Sequence, residues 1–167
     1  MSFIDTINIL NFRSEVYNVQ PFDSFLCKAG SNWEVRLKNG LTSRLLTLCI
    51  QKGKVETGGV LIGLANYKTK TIHVFDIIEE SQDSKGNCTG FLRGIKGLPD
   101  QIESIKEKTG SVIGYIGEWH THPMNMERLS ARDKETIKEL IIINRRYPIP
   151  TCAIIVTNNK ILSFVFE

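Results

Sequence analysis

Apolar residues recur along this chain with two periods, and the switches between them predict the order of elements. Residues 15–19 and Trp33 to Leu37 alternate as half-buried strands do, separated by a loop holding Pro21 and Gly30. Residues 3–12 mix the two periods and fit either a short strand or an N-terminal arm. After Asn39-Gly40, the spacing of Leu41, Leu45, Leu48 and Cys49 predicts a helix to Lys52, with Gly53 as its stop. A strand over Val55 to Gly63 opens on Glu56 beside Gly58-Gly59, and the two glycines leave room for close backbone approach. Val60 to Leu64 and Thr71 to Ile78 form a hairpin through the polar connection Asn66 to Lys70.

Glu79 to Gly97, with four glycines and the polar run Ser81 to Lys85, is expected to be the longest irregular stretch and one wall of a substrate groove. Pro99 to Thr109 has the spacing of an amphipathic helix ended by Gly110. Val112, Ile113, Tyr115 and Ile116 then predict a strand entering the polar stretch Gly117 to Pro123. A helix from Ser130 to about Arg145 is stopped by Pro148 and Pro150. Strands over Cys152 to Val156 and Leu162 to Phe166, with a turn at Asn158-Asn159, finish the chain. Interspersed helices and strands indicate an α/β sheet with helices packed on it.

The densest chemistry follows the apolar strand. His120 and His122, two apart on a strand, share a face and aim both imidazoles at one spot. Asp133 projects from the first turn of the next helix. Two imidazoles and a carboxylate make three protein ligands, the number that leaves a catalytic zinc its open fourth position. Ser130 and Asp133 also form a helix-capping pattern, and His-Thr-His fits two partly exposed histidines at a strand end. Capping and ligation are compatible, because a capped helix start is a fixed platform for Asp133. Glu56 alone fits a solvated carboxylate at a strand start, and His73 fits a packed or edge histidine.

Composition narrows the setting. A chain of 167 residues suits one domain, and 23% charged with 41% apolar residues suits a globular protein. A net charge of +3, with basic and acidic residues interspersed, gives no nucleic-acid stripe. No apolar run reaches spanning length and no leader opens the chain, so no membrane partner and a cytoplasmic location are expected. Cys27, Cys49, Cys88 and Cys152 form no Cys-x-x-Cys pair; Cys49 and Cys152 read as core residues and Cys88 as exposed.

Taken together, Glu56, His120-x-His122, Ser130 and Asp133 resemble the JAMM signature of the JAB/MPN metalloprotease family. Glu56-Thr57-Gly58-Gly59-Val60-Leu61-Ile62-Gly63 is similar to its Glu-bearing strand, and Gly117-Glu118-Trp119-His120-Thr121-His122-Pro123 to its metal strand. The resemblance covers about residues 55–156. The chain length and Gly90-Phe91-x-Arg93 are similar to the compact bacterial JAB proteins of antiphage CBASS operons and integrative elements.

The resemblance implies a single domain over 1–167, residues 1–30 being an N-terminal extension, with a cytidine-deaminase-like mixed central sheet flanked by helices. It implies Zn2+ held by His120, His122 and Asp133, with Glu56 as general acid/base and Ser130 donating to the oxyanion. Glu118 and Thr121 are candidates to support the imidazoles from behind. The implied reaction is hydrolysis of the isopeptide or peptide bond after an extended, ubiquitin-like C-terminal tail. In the CBASS relatives this reverses conjugation of a cGAS-like nucleotidyltransferase by an E1/E2-like partner. The tail would be held by strand addition beside the metal, under loop 79–97. Other activities within the resemblance are trimming of a sulfur-carrier protein's C-terminus, a non-catalytic MPN scaffold and a zinc-stabilised fold without chemistry.

Overall fold

The computed structural model describes residues 22–26, 32–144 and 149–166. The readings at residues 3–12, 15–19, Pro21, Cys27, Gly30, Arg145 and Pro148 lie outside the described residues. Seven strands form one mixed sheet in the order β1 (Phe22–Leu26), β2 (Glu34–Lys38), β4 (Thr71–Ile78), β3 (Gly58–Asn66), β7 (Gly114–Thr121), β8 (Thr151–Val156) and β9 (Ile161–Phe166). The β2–β4 and β7–β8 pairs are parallel and the others antiparallel. Among the described residues three helices, α1 (Leu41–Lys52), α2 (Leu98–Lys108) and α3 (Ala131–Asn144), accompany the sheet. This is the mixed central sheet flanked by helices that the resemblance implies.

Strand alternation divides the core between two faces. On one, Leu41, Leu45 and Cys49 of α1 pack with Trp33, Leu37, Leu61, Val74, Trp119, Ile154 and Val156. On the other, Val60 and Ile62 of β3 meet Leu98, Ile102 and Ile105 of α2. Helix α1 ends where Gly53 turns to φ 62, a left-handed conformation that glycine adopts without strain, and its N–H returns to Ile50 O. His73 lies buried in an interior strand, its ring stacked on Phe75. Cys49 and Cys152 are buried and Cys88 is exposed, as expected.

Two expectations need correction. Phe22–Leu26, inside the expected loop between Pro21 and Gly30, is strand β1, paired with β2 from Phe22↔Lys38 to Leu26↔Glu34. The stretch from Glu79 to Gly97 is not simply irregular: β5 (Lys85–Asn87) and β6 (Gly90–Leu92) form a separate two-stranded hairpin. Its base is closed by Asp83, whose carboxylate accepts from Ile95 N at 3.1 Å and Lys96 N at 3.1 Å. Those amides hold the exposed Asp83 carboxyl down at about 2, with the Ser81 hydroxyl contributing most. No helix among the described residues is long and apolar enough to cross a membrane.

Candidate metal centre

The site forms where β3 and β7 run side by side at their ends. In that antiparallel pair Gly58 lies directly opposite His120, and Glu56, two residues before Gly58, and His122, two residues after His120, fall on the same face by continuing the alternation. Gly58 is required there: a Cβ would stand 2.4 Å from Trp119 O and 2.9 Å from His120 Cβ. Gly59 is equally constrained, because its Cβ would meet Ile78 O at 1.9 Å. The pair continues past β3 through Thr121 N to Thr57 O at 2.8 Å and Thr57 N to Thr121 Oγ1 at 2.9 Å. Glu56 thus precedes the strand that was expected to open on it, since β3 starts at Gly58.

His120, His122 and Asp133 converge. The two imidazole Nε2 atoms are 3.0 Å apart, with His120 Nε2 3.3 Å from Asp133 Oδ1 and His122 Nε2 3.4 Å from Asp133 Oδ2. A tetrahedral ion with bonds of about 2.0–2.1 Å sets its ligand atoms about 3.3 Å apart. The spacing between the imidazoles, and from each of them to one carboxylate oxygen, is therefore that of neighbouring ligands on a zinc ion, and the three residues could hold one together. The orientation of His122 is fixed: its Nδ1–H donates to Met126 O at 2.8 Å, leaving the Nε2 lone pair facing the cluster. The loop that supplies this carbonyl is itself anchored, as Asn158 Nδ2 donates to Pro123 O at 2.9 Å and His122 N to Val156 O at 2.7 Å.

Asp133 and Ser130 form a reciprocal cap. Asp133 N donates to Ser130 Oγ at 3.1 Å and Ser130 N to Asp133 Oδ2 at 2.6 Å. Capping and convergence on the histidines coexist, and the Ser130 hydroxyl keeps its proton to donate elsewhere. Burial pushes the Asp133 carboxyl up, but the imidazoles and Ser130 outweigh it and hold it well below the ordinary carboxylate range. For His122, burial lowers the pKa, while Asp133 and the Met126 carbonyl more than restore it, so the net shift is upward.

Glu56 is 8% exposed. Burial raises its pKa, and the nearby His122 and His120 offset that only in part. A carboxyl moved toward neutrality suits proton transfer in both directions.

Neither Glu118 nor Thr121 supports an imidazole. Glu118 lies one strand repeat before His120 and accepts from Arg93 Nη2 at 2.9 Å, while Thr121 faces away from the histidines toward Thr57. The Met126 carbonyl, which the sequence reading missed, orients His122 in their place. Beside the cluster runs a groove of about 270 Å3 between β6 and α3, lined by Phe91, Arg93, His120, Ser130, Arg132 and Leu140 among others. The 79–97 segment does form one of its walls.

The chain is similar to several known proteins. The CD-NTase/cGAS isopeptidase of Enterobacter hormaechei subsp. hoffmannii (strain UCI 50) is 31% identical over 94 residues, 56% of this chain and 51% of that protein. The CD-NTase/cGAS isopeptidase of Escherichia coli (strain TW11681) is 37% identical over 70 residues, 41% of this chain and 42% of its own. That of Vibrio cholerae serotype O1 (strain ATCC 39315 / El Tor Inaba N16961) is 33% identical over 88 residues, 52% and 54% respectively. The chain spans about half the length of these curated relatives. A protein from Desulfitobacterium hafniense, solved in solution, shares the fold with a TM-score of 0.51 at 18% identity, over 77% of this chain and 82% of that one. The profile of prokaryotic homologs of the JAB domain matches residues 39–166, and the chain belongs to that family.

Proposed function

We propose that this chain is a zinc-dependent isopeptidase that hydrolyses the bond after the C-terminal tail of a conjugated cGAS-like nucleotidyltransferase. The observation that carries the reading is the His120–His122–Asp133 cluster, with ligand-atom separations of 3.0, 3.3 and 3.4 Å, and buried Glu56 on the same face. The substrate class is supported by three relatives named CD-NTase/cGAS isopeptidase. His120, His122 and Asp133 hold the metal. Bound zinc supplies Lewis acidity, polarising a carbonyl and making water acidic enough to attack near pH 7.

The remaining work falls to the chain's own groups. Glu56 takes the proton from the attacking water and returns it to the departing amine, a role that suits its raised pKa. Ser130, its oxygen fixed by the Asp133 N–H, donates its hydroxyl proton toward the developing oxyanion. The groove between β6 and α3 receives the extended tail. Conjugation by an E1/E2-like partner in the same bacterial antiphage system supplies the substrate, and the reaction takes place in the cytoplasm.

The test measures metal content and cleavage together, using a CD-NTase with a fluorescent protein fused after its C-terminal residue. The expected result is about one zinc per chain, lost with turnover in His120→Ala and Asp133→Ala. Glu56→Gln keeps the metal and loses about 10²–10⁴-fold in turnover. Full activity of Glu56→Gln would reject its role, and cleavage of a sulfur-carrier fusion in place of the CD-NTase fusion would reassign the substrate.

A further inference from the structure

Hairpin β5–β6 is fastened to the site at three points. On β6, Phe91 packs on Gly58, its Cε1 2.8 Å from where a Cβ would stand. Just beyond β6, Arg93 donates to Glu118 Oε1 through Nη2 at 2.9 Å and Nε at 3.2 Å, tying the hairpin to the strand that carries His120. The third attachment is to Glu56 itself. Glu56 N donates to Asn87 O at 2.9 Å, and Gly86 lies so close that a Cβ there would meet Glu56 O at 2.1 Å.

Glu56 sits between the end of α1 and the start of β3, outside both elements. The residue after it is secured, because Thr57 exchanges hydrogen bonds with Thr121 and donates its hydroxyl to Glu80 at 2.9 Å. What fixes the Glu56 peptide from the other side is β5, through one carbonyl and one missing side chain. The tip of the hairpin is braced in turn: Asn87 Oδ1 accepts from Thr89 N at 2.8 Å and Thr89 Oγ1 at 3.0 Å. We infer that Gly86 and Asn87 are positioning residues for Glu56, β5 setting where its carboxylate stands relative to the His120–His122–Asp133 cluster. This rests on Glu56 being the proton carrier. It gives the hairpin two roles, since β6 lines the groove while β5 holds the acid/base residue.

Gly86→Ala tests this directly. Gly86 is not among the positive-φ glycines, so its backbone accepts alanine and the Glu56 carbonyl supplies the obstacle. In the zinc-free protein, amide exchange of Glu56 should accelerate about tenfold or more while that of Thr121, bonded to Thr57 O, stays protected. In the zinc-loaded protein, kcat on the CD-NTase–fluorescent protein fusion should fall about 10²-fold with KM nearly constant and zinc stoichiometry unchanged. Asn87→Ala, which loosens the tip without adding bulk, should move both readings the same way by less. It carries the test if Gly86→Ala does not fold. Gly114→Ala, whose Cβ would meet only the Lys106 side chain, Cγ at 3.4 Å and Cδ at 3.8 Å, should change neither reading.

An unchanged Glu56 amide in both hairpin variants would overturn the inference, as would faster exchange with kcat intact. If the unaltered protein cleaves no fusion, the isopeptidase reading falls and amide exchange alone decides the positioning.

Discussion

Trp119 and His120 are neighbours on one strand, and they belong to different worlds. Trp119 is 1% exposed among Leu61, Cys152 and Ile154 under α1, whereas His120 faces the opposite side of the sheet, toward Asp133 and the groove. The α1 face carries a large apolar cluster that includes the buried thiols of Cys49 and Cys152. The other face carries Glu56, His120, His122 and Asp133, placed by the same strands and by the start of α3. Period-two alternation lets one β-strand serve stability and chemistry without compromise between them. Substitutions on the two faces should therefore fail in different ways.

The largest effect expected from separating the faces is on stability. Leu45→Ala on α1 removes a fully buried side chain on the face of the sheet opposite the site and should cost about 2–5 kcal/mol in urea unfolding. Turnover per folded molecule, measured well below the transition, should be unchanged. A proportional loss of turnover would show that the faces are coupled.

Ser130→Ala probes the boundary, because that residue both caps α3 and faces the groove. The cap should cost about 1 kcal/mol. Turnover should fall about 10²-fold through the lost oxyanion donor, with zinc retained. Loss of stability with turnover intact would reduce Ser130 to a cap.

The smallest effect is a pH dependence from His73. Burial, and then Arg36, holds its imidazole below the ordinary 6.5. The unfolded chain takes up that proton more readily, so this contribution to stability is complete above pH 6.5 and is lost as pH falls from there through the folded-state pKa. His73→Gln should flatten the fall in urea midpoint between pH 7.5 and 5.5, within the roughly one-unit scatter typical of histidines. An identical slope in the variant would assign the dependence elsewhere.

The difference between the faces also explains what could be read from the sequence. Strong periodicity marked α1, β4, α2, β8 and β9 to within a residue or so, since each turns apolar residues toward the core, those of α2 only partly buried apart from Leu98. The convergence of His120, His122 and Asp133 was legible because a two-residue step on a strand and the first turn of a helix have fixed directions. Hairpin β5–β6 was not: Lys85-Gly86-Asn87 and Gly90-Phe91-Leu92 are too short to show alternation, and the hairpin is held by the Glu56 N–H to Asn87 O bond and by the Asp83 carboxylate closing the turn that follows it at Ile95 and Lys96. Strand β1 went unread because its placement comes from register against β2, which lies outside any local pattern. The carbonyl that orients His122 belongs to Met126, and a main-chain acceptor leaves no mark in residue type.

That last contact has a practical consequence for chimeras between relatives. The span from His122 to Met126 works as a ruler, returning one peptide oxygen to Nδ1 of the ring that begins it. Transplanting both histidines into a scaffold with a shorter connection would copy the letters and lose the tautomer. A graft should carry residues 120–133 as one cassette.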